Sequence, residues 1–156
     1  AQTISQPFTV AYMTQTLEVK PGDKILEIGT GSGYQAAILS ILGAEVYSVE
    51  RIEKLHQNAV ILLGELGFNV NLKLDDGTLG WEENAPYDKI IVTAGAPDIP
   101  NHLVEQLKIG SKLVIPVGDH ESQRLLVITC TEEGIEKKYY DNFKFVPLIG
   151  AEGWKA

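Results

Sequence analysis

The sequence predicts an α/β fold: a doubly wound, mostly parallel seven-stranded sheet with helices on both faces and an antiparallel C-terminal hairpin. Three observations predict it. Short apolar runs alternate with segments whose apolar residues recur every three or four positions, from Phe8 to Pro116. The first strand-like run, Lys24 to Ile28, opens directly into Gly29-Thr30-Gly31-Ser32-Gly33 and then into a helix-patterned segment. That is the strand–turn–helix order of an open sheet with helical crossovers. After Gly118 the helical patterns stop and strand-like runs follow one another across short turns, which calls for antiparallel pairing.

The elements follow in order. Phe8 to Glu18 carries Val10, Met13 and Leu17 at helical spacing, with Pro7 suited to the first turn. Pro21-Gly22-Asp23 marks a turn before the first strand. The segment Tyr34 to Leu42 is a helix expected to bury Tyr34, Ala37, Ile38 and Ile41, with Gly43 as its C-terminal cap. Glu45 to Val49 is the second strand. Glu53 to Leu66 is a helix with a stripe of Leu55, Ala59, Leu62, Leu63 and Leu66, ended by Gly67. Val70 to Leu74 alternates like a half-exposed strand, and Asp75 to Pro86 is a polar loop.

Lys89 to Thr93 is apolar enough for a central parallel strand. Leu103, Val104 and Leu107 mark a helix closed by Gly110, and Lys112 to Pro116 is the fifth strand. Arg124 to Thr131, Glu136 to Tyr140 and Phe143 to Val146 are strand-like, with a turn at Glu132-Glu133-Gly134. No repeat, low-complexity tract or linker interrupts the chain, so residues 1–156 read as a single domain.

Composition narrows the function classes. The chain has 156 residues and 44% apolar residues, enough for a substantial core. Its net charge of −8 disfavours nucleic acid and anionic membrane surfaces as partners. One cysteine, Cys130, excludes an internal disulfide and reads as a small buried hydrophobe. No apolar run reaches the roughly 18–20 residues of a membrane span, and no signal peptide is visible. A cytoplasmic monomer is the expectation. The chain opens on Ala1-Gln2-Thr3-Ile4-Ser5 without an initiator methionine, so a further segment is expected upstream.

The glycine turn points to a ligand. Glycines between a strand and a helix let a bound molecule approach the main chain, since no Cβ stands in the way. Glu50 follows Gly29 by 21 residues, at the tip of the second strand, where a carboxylate can accept hydrogen bonds from both ribose hydroxyls. Together they describe a pocket for an adenosine-containing cofactor. The spacing is G-x-G-x-G, not the G-x-G-x-x-G of dinucleotide binding. Glu27, two residues before Gly29, suits the amino end of the methionine portion of S-adenosylmethionine. Asp76, after the third strand, is placed to accept from an adenine amino group. Neither Tyr34 nor Tyr87 has a lysine four residues on, as a nicotinamide enzyme would commonly use.

Three further segments carry a resemblance: Thr3-Ile4-Ser5-Gln6-Pro7, Asp76-Gly77-Thr78-Leu79-Gly80-Trp81 with Ala85-Pro86-Tyr87-Asp88, and Ile91 to Pro97 through Ile115 to Gly118. With the tail Phe145-Val146-Pro147-Leu148, they resemble the protein-L-isoaspartate O-methyltransferase family over nearly the whole chain. The resemblance implies methyl transfer from S-adenosylmethionine to the carboxylate of L-isoaspartyl residues in damaged proteins and peptides, leaving S-adenosylhomocysteine. The ester then closes to a succinimide, and hydrolysis returns some normal aspartate.

By the same resemblance Ser5 is the active-site residue. Cofactor contacts fall to Gln2, Thr3, Ile4 and Ser5, to Gly29, Thr30, Gly31, Ser32 and Gly33 with Glu27, to Glu50 and Arg51, and to Asp76 and Gly77. No metal is implied. The family's helical segment ahead of the TIS motif is not in this sequence, and Gly95 and Ser111 stand where alanine and glycine are usual.

The chemistry fits the residue types. A carboxylate of ordinary pKa near ~4 is ionised at neutral pH, so the acceptor needs no strong base. Displacement at a sulfonium-bound methyl requires alignment, with the acceptor oxygen about 3–3.5 Å from the carbon. A neutral hydroxyl such as Ser5 orients that oxygen without quenching it.

Plainer readings stand beside these. Ser5 is also placed as a helix N-cap, Asp76 as a turn former, Thr93 as a strand end, and Asp75 as a solvated carboxylate. His56, His102 and His120 have no metal-ligand spacing. Trp81 and Trp154 read as packing residues, and Lys137-Lys138 as a solvated strand face. Two alternatives remain open: a methyltransferase acting on another acceptor, and a non-catalytic cofactor-binding module. Thr93-Ala94-Gly95-Ala96-Pro97 lacks the Asn/Asp-Pro-Pro-Tyr type of segment expected of a base methyltransferase.

Overall fold

The computed structural model describes residues 6–156. Helix α1 (Pro7–Leu17) starts on Pro7, whose missing N–H falls where no intrahelical partner exists, and it buries Val10, Met13 and Leu17. Strand β1 (Lys24–Ile28), helix α2 (Tyr34–Ile41), strand β2 (Glu45–Glu50), helix α3 (Glu53–Glu65) and strand β3 (Val70–Leu74) follow. Two 3₁₀ turns, Gly77–Leu79 and Glu82–Asn84, occupy the polar loop. Then come β4 (Tyr87–Val92), the short α4 (Asn101–Glu105), β5 (Leu107–Gly118), β6 (Gln123–Thr131) and β7 (Gly134–Phe143).

The strands form one seven-stranded sheet in the order β3-β2-β1-β4-β5-β6-β7. Strands β1 to β5 pair in parallel. β6 runs antiparallel to β5, and β7 antiparallel to β6. The predicted architecture is therefore the observed one. The direction of winding reverses between β1 and β4, which is where such sheets open a crevice beyond their carboxyl ends. The register levels the tips there: Ile28 lies opposite both Val49 of β2 and Val92 of β4.

Alternation along the strands sorts the core into two layers. Leu26 and Ile28 pack with Ile90, Val92, Leu113 and Ile115 under Leu103 of α4 and the 3₁₀ loop. Ile25, Val46, Ile91 and Val114 pack against Met13 and Leu17 of α1, Ala36 and Leu39 of α2, and Ala59 and Leu63 of α3. Fully burying each of these Leu, Ile or Val side chains stabilises the fold by about 1.5–3 kcal/mol.

Four local expectations are corrected. Helix α2 buries Gln35, Ala36 and Leu39, while Tyr34 and Ile41 face solvent. Eight residues apolar on more than one side do not fix a buried face, and the sheet selects the slimmer one. On α3 only Ala59 and Leu63 of the expected stripe are buried, and Leu62 and Leu66 are exposed. The helix expected through Leu107 stops at Glu105, and Leu107 begins β5. Gly110, read as a cap, has φ +85 within that strand, where the β4–β5 register shifts between Tyr87 and Lys89. Finally, β7 runs on to Phe143, and Lys144 to Val146 lie outside any strand.

Candidate cofactor cleft

The cleft forms where β1 meets its glycine turn. The Gly29 N–H donates to the Val49 carbonyl at 2.9 Å, extending the β1–β2 ladder by one bond before the chain turns. Gly29, Gly31 and Gly33 have φ of 96°, 54° and 87°, values that side chains rarely adopt. Their surroundings differ. A Cβ on Gly29 would stand 2.7 Å from Thr93 Oγ1, and one on Gly33 3.3 Å from Leu63. A Cβ on Gly31 would meet no heavy atom within 4 Å. Two of the glycines are demanded by the protein's own packing, and Gly31 leaves its space to the cleft.

Glu50 builds this turn as well as facing it. It is buried, at 6% exposure. Its Oε1 accepts the Gly31 N–H at 2.9 Å and its Oε2 accepts the Ile52 N–H at 3.0 Å. A carboxylate has about four lone-pair sites, so two remain for a ligand. Thr93 Oγ1 donates to the Gly29 carbonyl at 2.8 Å and so ties the tip of β4 to the turn.

Glu27 lies beneath the turn, fully buried on the face covered by α1, α2 and α3. Ser48 Oγ donates to its Oε1 at 2.6 Å, and Thr30 Oγ1 lies 2.6 Å from Ser48 Oγ. Glu27 Oε2 has no partner among the described residues. Burial pushes the carboxyl up to about 8; the Ser48 hydrogen bond opposes that shift and the Glu50 charge adds to it.

The remaining walls come from distant parts of the chain. Gly95 N–H donates to the Val146 carbonyl at 2.7 Å, Leu148 N–H donates back to the Gly95 carbonyl at 2.8 Å, and Gln123 Oε1 accepts the Phe145 N–H at 2.7 Å. These bonds lay residues 146–149 along the cleft, opposite the glycine turn. Val10 and Met13 of α1 and Tyr34 and Gln35 of α2 line it too.

The predicted site residues divide clearly. Gly29, Thr30, Gly31, Ser32, Glu50, Arg51 and Gly77 line the cleft. Glu27 and Gly33 support it from behind. Asp76 does not line it: Oδ1 accepts from Thr78 N and Thr78 Oγ1, and Oδ2 accepts from Ala151 N at 2.8 Å. That carboxylate fastens the C-terminal tail beside Gly77. Gln2, Thr3, Ile4 and Ser5 lie outside the described residues.

Tyr34, Gln35 and residues 146–149 were not among the site residues expected from the sequence, yet they line the cleft. The tail carried a signal in its Phe145-Val146-Pro147-Leu148 segment, yet nothing local says that it folds back on Gly95. Thr93, expected as a strand end, lies one residue beyond β4 and also fixes the turn.

A family model described as protein-L-isoaspartate(D-aspartate) O-methyltransferase matches residues 1–153. The chain belongs to this family. A protein-L-isoaspartate O-methyltransferase of Chlorobium limicola is 57% identical over 155 residues, covering 98% of this chain and 71% of that one. A solved protein-L-isoaspartate O-methyltransferase superposes with a TM-score of 0.90 at 30% identity, over 97% of this chain and 50% of that chain. A Plasmodium falciparum structure described as such an enzyme, in complex with S-adenosyl-L-homocysteine, gives a TM-score of 0.81 at 28% identity, over 94% of this chain and 76% of that one. The isoaspartate methyltransferase fold thus extends over the sheet and the tail that walls the cleft. Among the described residues no helix is long and apolar enough to cross a membrane.

Proposed function

We propose that this chain transfers a methyl group from S-adenosylmethionine to the carboxylate of L-isoaspartyl residues in damaged proteins and peptides, which begins their repair. The observation that carries the reading is the cleft at the β1–β4 reversal, with open space over Gly31 and a Glu50 carboxylate that keeps unspent lone pairs. The residues suit the cofactor. The bare main chain of Gly29 to Gly33 admits close approach. Glu50 presents acceptors for paired ribose hydroxyls. Val10, Met13 and Leu148 supply apolar wall.

The cofactor supplies an activated methyl on a sulfonium. The protein's task is to bind, orient and exclude water. An acceptor carboxylate is ionised at neutral pH, so alignment replaces general base catalysis. Gln2 to Ser5 precede α1 in the sequence, and Val10 and Met13 of that helix line the cleft. In the proposal Ser5 orients the acceptor oxygen through one hydrogen bond, and Gln2, Thr3 and Ile4 contact the cofactor. Arg51, exposed at the rim, and Ser32 complete the contacts. In the proposal residues 1–156 fold as one cofactor-binding domain, and the protein acts as a cytoplasmic monomer. The acidic charge and lone Cys130 support that setting.

Initial rates of methyl transfer to an isoaspartyl peptide and to its aspartyl isomer test the reading. Transfer to the isoaspartyl peptide alone is expected, and equal rates on the two would overturn it.

A further inference from the structure

The Thr30–Ser48–Glu27 arrangement performs more than packing. All three side chains are buried, at 4%, 0% and 0% exposure, yet Thr30 also lines the cleft. The two oxygen–oxygen distances are both 2.6 Å. A hydroxyl has one hydrogen to give. If Ser48 donates to Glu27, it has none left for Thr30, so Thr30 must donate inward to Ser48. Thr30 Oγ1 then keeps only lone pairs for any further partner. If Glu27 is protonated and donates to Ser48, the chain reverses: Ser48 donates to Thr30, and the Thr30 hydrogen is left free for a ligand. Only hydroxyl rotations and one proton from solvent separate the two states.

We infer that Thr30, Ser48 and Glu27 form a hydroxyl relay that reports the charge of a buried carboxyl at the cleft wall, and that Ser48 is the positioning residue on which the relay depends. With Glu27 ionised, Thr30 offers an acceptor suited to a primary ammonium, such as that of an amino-acid moiety. With Glu27 neutral, Thr30 offers a donor and repels it. The inference rests on the cofactor reading above and adds a proton to it.

The surroundings leave the relay in control. From β2 the charged group acting on Glu27 is Glu50. From β4 its register partner is Ile91. The buried side chains that α1, α2 and α3 bring to this face are Val10, Met13, Leu17, Gln35, Ala36, Leu39, Ala59 and Leu63, none of them ionisable, and the titratable residue in helical register with Ala59 and Leu63 is half-buried His56, whose Nδ1 is buried without a partner among the described residues. The upward displacement of Glu27 by burial puts its protonation within reach of ordinary buffers, and an arriving cation favours the ionised form.

Isothermal titration with S-adenosylhomocysteine, which keeps the ammonium, tests this between about pH 6 and about pH 8.5 in buffers of different ionisation enthalpy. The wild-type chain is expected to bind about tenfold or more tightly at the upper pH and to release a proton near neutrality. Ser48→Ala is expected to bind more weakly at the upper pH and to flatten the pH slope, and Ser48→Thr to restore both. Glu27→Gln is expected to bind weakly at every pH. Thr30→Val, close in shape, repeats the Ser48→Ala test at the other end and keeps it decisive should Ser48→Ala fail to fold. Wild-type affinity and slope in folded Ser48→Ala and Thr30→Val would overturn the relay while leaving the cofactor reading intact. A wild-type chain that binds at no pH would overturn both.

Discussion

The main-chain N–H of Gly31 donates to the carboxylate of Glu50 at 2.9 Å, so the residue at the tip of β2 shapes the turn at the tip of β1. The same carboxylate holds Ile52 N–H at the start of α3. One side chain thus couples two strand ends to a helix entry and still faces the cleft.

Glu50→Gln keeps the size of the side chain but sets an amide N–H₂ against one of those backbone donors. A buried donor left without an acceptor costs about 1–3 kcal/mol. Thermal melts are expected to show a loss of that order, and calorimetry an affinity for S-adenosylhomocysteine lower by roughly 10–100-fold, as two or more hydrogen bonds are weakened. Unchanged affinity would remove Glu50 from the binding site.

The glycines separate fold from binding. Gly29→Ala meets Thr93 Oγ1 at 2.7 Å and is expected to destabilise the chain by about 1–3 kcal/mol through strain and overlap. Thr93→Ala in the same chain should recover part of that loss, a coupling readable by denaturant titration of the double-mutant cycle. Gly31→Ala has room for its Cβ. It is expected to cost the fold only about 1 kcal/mol while abolishing measurable cofactor binding.

Glu27 gives the apo chain a pH signature. Its folded-state pKa is raised from 4.5 to about 8, so between those values the folded state holds a proton that the unfolded state has released. Stability from this group is full below the unfolded value, falls as pH rises by up to about 1.4 kcal/mol per unit, and levels off above the folded value. Glu27→Gln is expected to flatten that part of the curve in melts run across the range. A wild-type profile with no such slope would contradict the buried, neutral acid.

Asp76 is expected to act on the tail. Asp76→Ala strips the acceptor from Thr78 N, Thr78 Oγ1 and Ala151 N. Hydrogen exchange at Ala151 and Glu152 should accelerate by roughly tenfold or more if that bond holds the segment down, with β1 and β4 unaffected. Glu152 in turn accepts from the His102 ring at 2.7 Å and raises the His102 pKa. Its contribution is therefore present at low pH and fades as pH rises through the folded-state value. Glu152→Gln should move the His102 titration downward in an NMR experiment.

The winding of the sheet was legible because strand β1, the glycine turn and Glu50 follow local rules of spacing and alternation. What escaped was settled by packing between distant segments. The buried face of α2 depends on which side chains the sheet can accept, and its apolar positions spread around the helix left that open. The length of β5 depends on a register shift opposite Tyr87 and Lys89, and Gly110 looks the same in a cap or a bulge. In the site, Gly29 to Ser32 and Glu50 line the cleft from the strand ends where spacing put them, and Arg51, which the resemblance named, lines it beside them. Asp76 has a carboxylate where one was expected, and the donor that reaches it from Ala151, 75 residues on, could not be read from the sequence. Ser48 read as an ordinary strand residue because its partner Glu27 lies on another strand.

Isomer-specific methylation is read without intermediaries by mass spectrometry of an isoaspartyl peptide beside its aspartyl twin. With S-adenosylmethionine present, the isoaspartyl peptide should gain one methyl group, which then leaves as the succinimide forms, while the twin stays unmodified. Equal methylation of both peptides, or none on the isoaspartyl peptide by a chain that binds S-adenosylhomocysteine, would contradict it.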